Sequence, residues 1–256
     1  MLRIIYSIAS YLAFLCSFVY FAWFSDGLGV AKTVDTGGSG GATALLLDLV
    51  LILLFGVQHS VMARPAFKRR LSYVLPSGVE RATYVLASSL ALALLIWQWR
   101  PVPGLLWSVD NPGVAAGLWG INALGWLGVP LSSLLIDHFE LVGLKQAFAG
   151  FRRSSLKHRG FVTPLLYKYI RHPMMSSLLI GLWVTPHMTL SHALLSAGMS
   201  VYVLVGVHFE ERALVREFGR AYVAYQASTP RFFPLGLAKK GTLEGPSSSP
   251  ASGGAR

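Results

Sequence analysis

Apolar residues along this chain come in long runs rather than in alternation. Runs near 4–24, 43–62, 82–99 and 114–135 approach or reach the ~20 residues a helix needs to cross the hydrocarbon core of a bilayer. Two shorter runs, near 174–188 and 191–208, follow each other closely and predict a tight helical hairpin. A segment inside hydrocarbon must satisfy its own backbone, so these runs predict helices rather than buried strands. None shows the roughly ten-residue apolar/polar alternation of an outer-membrane barrel. The expected fold is all-α: a polytopic transmembrane helix bundle of four spans plus a C-terminal helical hairpin.

Beyond the hairpin the period changes. Within 211–225, Leu214, Phe218, Tyr222 and Tyr225 recur at spacings of four, four and three, with Arg212, Arg216 and Arg220 on the wet side. That pattern predicts one amphipathic helix, able to lie on the membrane surface or to close over a cavity at the mouth of the bundle. Pro230 and Pro234 predict an extended segment around Arg231. Among the connections, 36–41 is a Gly-rich flexible run, and Pro101, Pro103 and Pro112 mark turns between the third and fourth spans. The fourth span is rich in glycine. Gly113 and Gly117 have the four-residue spacing that lets membrane helices approach closely, which predicts internal packing there. Residues 236–256 are Gly-, Ser-, Pro- and Ala-rich and predict a disordered tail.

Composition agrees with the pattern: 54% of residues are hydrophobic and 13% charged, about half the charged share of a soluble domain. The net charge of +11 invites a nucleic-acid reading, which its distribution removes. Assigning the connections alternately to two sides puts twenty Lys and Arg residues on one side and only Lys32 and Arg100 on the other. This is the positive-inside asymmetry, and it predicts both termini in the cytosol, with some attraction to anionic headgroups. The single cysteine, Cys16, lies inside the first span, so there is no disulfide framework. The first run has no small-residue cleavage site and reads as a retained anchor rather than a signal peptide.

Polar groups inside spans are costly, which makes each one a candidate. Gln58, His59 and Ser60 stand at the cytosolic end of the second span. Asp48, nearer the outer end, reads as a surface or packing residue, and Asn122 as an interhelical hydrogen-bonding group. Asp137, His138 and Glu140 leave the fourth span on the cytosolic side. Arg171-His172-Pro173 introduces the hairpin and Glu210-Glu211 ends its second arm. Antiparallel arms of similar length would bring these two groups into one small volume. Seven histidines leave haem ligation open, although none has the spacing of a zinc site and no metal is expected; His187 and His192 fall on the outer side.

Arg171-His172-Pro173, Glu210-Glu211, Leu214, Phe218-Gly219, Tyr222, Tyr225, Pro230-Arg231-Phe232 and Pro234 together resemble the C-terminal signature of isoprenylcysteine carboxyl methyltransferases. The chain departs from that signature at Met175, where those enzymes commonly carry Tyr, and this turns the expectation away from a prenylcysteine acceptor. A longer resemblance, from Phe55 to Pro234, is to bacterial methanethiol S-methyltransferases. It rests on the blocks 55–64, 137–146, 163–167 and 185–192. The first of these is also similar to the NnrU-type membrane proteins.

The resemblance implies S-adenosylmethionine as methyl donor, methanethiol as acceptor and dimethyl sulfide as product. It divides the chain into an N-terminal anchor with a flexible outer loop (1–42), a transmembrane methyltransferase core (43–235) and the tail. It implies that Arg171, His172, Pro173, Glu210, Glu211, Tyr222 and Arg231 hold the donor, with His172 and Glu211 also catalytic. His59 and His138 are then the candidates to accept the thiol proton, with Gln58 and Glu140 orienting them. The expected partners are a small volatile thiol and the lipid bilayer, with no nucleic acid and no protein partner implied. The expected location is a bacterial inner membrane. The alternatives are a prenylcysteine carboxyl or lipid amine methyltransferase, or a non-enzymatic NnrU-like accessory or haem-associated protein.

Overall fold

The computed structural model describes residues 1–37, 40–76, 78–152 and 160–234; the tail expected at 236–256 lies outside the described residues. The chain forms a helical bundle. Helix α1 spans Leu2–Asp26, α2 Ala42–Ala63, α3 Pro65–Leu71 and α4 Glu80–Gln98. Strand β1 is Leu105–Ser108, followed by α5 Pro112–Ile136, α6 His138–Leu141 and α7 Leu144–Arg152. Then come α8 Pro173–Trp183, β2 His187–Thr189, α9 Leu190–Phe218 and α10 Arg220–Ser228. Five of these, α1, α2, α4, α5 and α9, are long and apolar enough to cross a membrane. We call the end that carries α3, α6 and α7 the inner end, and the opposite one the outer end.

The expected hairpin is lopsided. Its first arm, α8, has 11 residues and its second, α9, has 29. Pro186 is the reason: the residue before a proline is driven out of the α region and proline itself has no N–H, so α8 ends at Trp183. The chain then turns extended and β2 pairs antiparallel with β1, a two-stranded cap at the outer end that the apolar runs did not announce. Helix α9 in turn runs through the boundary expected near 208. The single amphipathic helix expected over 211–225 is two helices, because Gly219 takes φ 56° and ψ −129°, a conformation that suits glycine alone. The aromatic and basic faces survive the break: Tyr222 is buried, while Arg212, Arg216 and Arg220 are exposed.

One hydrophobic core joins the spans, with Phe21 and Phe24 of α1, Leu51 and Phe55 of α2, Leu95 of α4, Trp126 of α5, Leu182 of α8 and Leu195 of α9 among its members. Contact between α5 and α8 is close because both present small residues. A Cβ on Gly125 would lie 2.5 Å from the Gly181 nitrogen, and one on Gly128 would lie 2.4 Å from Ser177 Oγ. The packing expected at Gly113 and Gly117 is therefore displaced along the helix. A Cβ on Gly117 meets nothing within 4 Å among the described residues, and one on Gly113 meets only Asn111 Oδ1.

Polar side chains lock the outer end. Trp99 Nε1 donates to Val34 O at 3.1 Å and to Ser191 Oγ at 3.0 Å, and Ser191 Oγ donates to the same carbonyl at 2.7 Å. Asn122 Nδ2 donates to Gly181 O at 2.8 Å, the interhelical bond expected of it, and Trp126 Nε1 donates to Asp26 at 2.8 Å. Asp48 is fully buried and accepts from Arg100 N at 3.0 Å, so it is a packing residue. His192 Nε2 bonds Leu182 O at 2.9 Å.

Candidate active site

The sequence blocks Arg171-His172-Pro173 and Pro230-Arg231-Phe232 meet at the inner end, joined first by backbone. Arg171 N donates to Pro230 O at 2.9 Å and His172 N to Arg231 O at 3.0 Å, while Ser176 Oγ donates to Phe232 O at 2.5 Å. Pro173 then starts α8 at a position where its missing N–H costs nothing. The segment after α10 bends at 231–233 instead of running extended, which turns it back onto α8.

Glu211 is the centre of the cluster. Its side chain is only 5% exposed. Oε1 forms an ion pair with Arg171 Nε at 2.9 Å and lies 3.1 Å from His172 Nε2; Oε2 accepts from Arg231 Nη2 at 2.8 Å and from Gln226 Nε2 at 3.3 Å. A carboxylate this buried requires such compensation, and the arrangement ties α8, α9, α10 and the final segment together. Arg171 Nη1 also donates to Gln226 O at 2.7 Å. Glu210, the next residue, differs: its side chain is 51% exposed, and His172 Nδ1 stands 3.7 Å from it. The Glu210 carboxylate nevertheless lies close enough for its charge to act on the hydroxyls of Tyr84, Tyr167, Tyr202 and Tyr222. Glu210 is thus a carboxylate with tyrosines about it and its side chain still open to solvent.

Over this cluster lies an aromatic cap. Phe161 packs against Phe218, Tyr222 and Tyr225 with ring centroids 5.2–5.6 Å apart, and the Tyr225 hydroxyl donates to Tyr167 O. Burial raises the Tyr222 hydroxyl well above the ordinary tyrosine range, with the Glu211 charge adding to it, and burial pushes Tyr225 up to about 12. Both are therefore neutral hydrogen-bonding groups at any physiological pH.

A second polar group sits beside the first. His59 Nε2 and Tyr84 Oη are 2.5 Å apart, and the His59 ring packs among Phe55, Tyr84 and Tyr202 with centroids 5.0–5.7 Å away. Ser88 stands beside Tyr84, and Gln58 Nε2 reaches Ser88 Oγ at 3.4 Å. His59 Nδ1 is buried and has no hydrogen-bond partner among the described residues. His138 is placed elsewhere. Its Nε2 meets Tyr11 Oη at 2.9 Å and its Nδ1 meets Ser133 Oγ at 2.7 Å, so both nitrogens are committed to α1 and α5. Burial lowers its basicity, which keeps the ring neutral between two hydroxyls.

The structure thus brings together Arg171, His172, Pro173, Glu210, Glu211, Tyr222 and Arg231, sets His59 nearby through Tyr84 and Tyr202, and leaves His138 apart. Tyr84, Tyr202, Phe161 and Gln226 were not anticipated. The signal for the first two was present, as tyrosines standing in otherwise apolar spans. An open hollow of about 290 Å³ at the outer end, lined by Lys32, Trp97 and Arg100 among others, is a different kind of place. There the Lys32 ammonium donates to Trp97 O and closes the end of α4.

With this geometry in place the chain can be set beside known proteins. The family model described as NnrU protein matches residues 47–238. The chain belongs to the NnrU family. Within reach of it are relatives of known name. Methanethiol S-methyltransferase 2 of Bradyrhizobium diazoefficiens is 46% identical over 93% of this chain and 92% of its own length. Methanethiol S-methyltransferase of Mycobacterium tuberculosis is 42% identical over 91% of this chain and 96% of its own. Nurim of Xenopus laevis is 32% identical over a shorter stretch, 61% of this chain and 58% of its own length. No solved structure matches the chain.

Proposed function

We propose that this chain is a methyltransferase that converts methanethiol to dimethyl sulfide at the inner end of its helix bundle, with S-adenosylmethionine as methyl donor. Near-full-length similarity to proteins named methanethiol S-methyltransferase supports the reaction class and the acceptor. The observation that carries the site assignment is the pair of exposed opposite charges flanking the buried Glu211. The Arg231 side chain is 43% exposed and that of Glu210 is 51% exposed. The amino-acid end of the donor is a zwitterion, and the open guanidinium on Glu211 and the open carboxylate of the adjacent Glu210 complement it.

In this reading Arg231 holds the donor carboxylate and Glu210 its ammonium or ribose hydroxyls. Glu211 does not touch the donor: all four of its neighbours belong to the protein, and it orients Arg171, His172 and Arg231. Pro173 fixes the start of α8, and Tyr222 covers the site with its aromatic neighbours. When bound, S-adenosylmethionine supplies a methyl group on a positively charged sulfur; the acceptor sulfur's lone pair makes the new S–C bond, and the electrons of the old bond stay with the donor sulfur.

Only the thiolate is a strong nucleophile, so the thiol proton must leave. His59 is the proposed acceptor. Its Nδ1 has no partner among the described residues and Tyr84 fixes the other nitrogen, whereas His138 has no nitrogen free and has a packing role. The aromatic wall around His59 excludes water, which favours a step in which thiolate and sulfonium charges cancel. The basic inner end faces the cytosol of a bacterial inner membrane, from which the donor enters, while the small thiol arrives through the bilayer. The catalytic unit is residues 43–235. Headspace analysis of the purified protein with methanethiol and methyl-labelled donor tests this: labelled dimethyl sulfide is expected, and its absence overturns the proposal.

A further inference from the structure

On α9, Tyr202, Gly206 and Glu210 lie four residues apart and therefore on one face of the helix, a turn from each other. The outer two are occupied: Tyr202 packs on Phe55 and His59, and the charge of Glu210 acts on the Tyr202 hydroxyl. Between them Gly206 presents no side chain. A Cβ built on it meets no heavy atom within 4 Å among the described residues.

Two ordinary reasons for a helix glycine fail here. It is not a contact glycine: Gly198, two turns earlier, would drive a Cβ to 2.6 Å from Ile52, as Gly125 and Gly128 would against α8, but none of the described residues comes within 4 Å of a Cβ at Gly206. Nor does its backbone require glycine, since it lies mid-helix and is not among the positive-φ residues. A glycine there weakens the helix relative to alanine. It lies on the face along which Tyr202 packs against Phe55 and His59 of α2. The residue is half-buried and borders the buried stripe of Met199, Val203 and Val207.

We propose that the notch at Gly206 seats the alkyl group of the acceptor, and that its depth restricts the acceptor to thiols of very few carbons. The proposal rests on the thiol methyltransferase reading above. A one-carbon thiol in the notch has the aromatic wall carrying His59 on one side and Glu210, in the donor subsite, on the other. Gly206 is thus a specificity-determining position that makes no bond itself.

The test compares wild type, Gly206→Ala and Gly206→Val, full-length and in detergent. It measures kcat/KM for methanethiol, ethanethiol and 1-propanethiol, together with calorimetric affinity for S-adenosylmethionine alone. Both variants are expected to bind the donor within about twofold of wild type, which shows them folded. The alanine variant should lose about tenfold in kcat/KM for methanethiol and more for ethanethiol, the usual effect of one carbon in a tight pocket. The valine variant should release no thioether. Undiminished methanethiol turnover in Gly206→Val, or an unchanged ethanethiol-to-methanethiol ratio in Gly206→Ala, overturns the acceptor seat alone. A wild-type protein that methylates no thiol overturns the seat and the functional reading together.

Discussion

At the outer end, Trp99, Ser191, Val34, Asn122, Asp26 and Trp126 bond one another, helix to helix and side chain to carbonyl. Even the exception there has an answer: Asp48 Oδ2 is buried without a partner among the described residues, but the charges of Lys32 and Arg100 lie close to it. At the inner end a comparable number of polar groups is arranged differently. Glu211 is nearly as enclosed as Trp99, yet the groups around it leave an exposed guanidinium, an exposed carboxylate and an imidazole nitrogen with no partner among the described residues. The outer groups close on themselves. The inner ones form a rigid centre with reactive edges, which is what a site for an external zwitterion and a proton requires.

Substitutions can separate these two uses of polarity. Glu211→Ala should have the largest effect. It leaves Arg171 buried without its carboxylate, costs roughly 3–5 kcal/mol of stability, and abolishes methyl transfer, read by melting in detergent and by labelled dimethyl sulfide. His59→Ala should lower kcat per folded molecule by roughly 10²–10⁴ and cost about 1–3 kcal/mol of stability, because the Tyr84 hydroxyl loses its partner. Its rate should climb with pH, because each step up ionises more of the free thiol and replaces the missing acceptor. A flat pH profile in that variant contradicts the role given to His59. Glu210→Gln removes an exposed charge-assisted contact, so donor KM should rise about tenfold while stability and thiol KM stay put.

Trp99→Phe belongs to the other end. Losing both indole bonds should cost about 1–2 kcal/mol with unchanged turnover per folded molecule. The smallest effect is expected from His138→Asn, a modest loss of stability with kinetics like wild type. A collapse of kcat there would return His138 to the chemistry.

Much of this division was legible in the residues. The apolar runs marked the four long spans before the hairpin within a few positions, and Arg171-His172 with Glu210-Glu211 marked the inner cluster. What was not legible depended on contacts between distant segments. Nothing local to Glu210 and Glu211 says which is buried; that follows from Arg231 and Gln226 returning 15 to 20 residues later. Tyr84 stands 25 residues from His59, and the two meet only because α2 and α4 pack together. Periodicity also continued through Gly219 and Pro186, because a count of apolar positions does not register a single backbone constraint. The two histidines expected to share a role were separated for a similar reason: Tyr11 and Ser133 engage both nitrogens of His138, and neither lies in the motif that drew attention to it.

The most direct measurement follows methyl transfer from labelled S-adenosylmethionine to methanethiol in wild type, Glu211→Gln and Trp99→Phe, each normalised to folded protein. The account predicts wild-type turnover in Trp99→Phe and a loss of at least about a hundredfold in Glu211→Gln, because the groups it orients lose their register. Wild-type turnover in Glu211→Gln would contradict it.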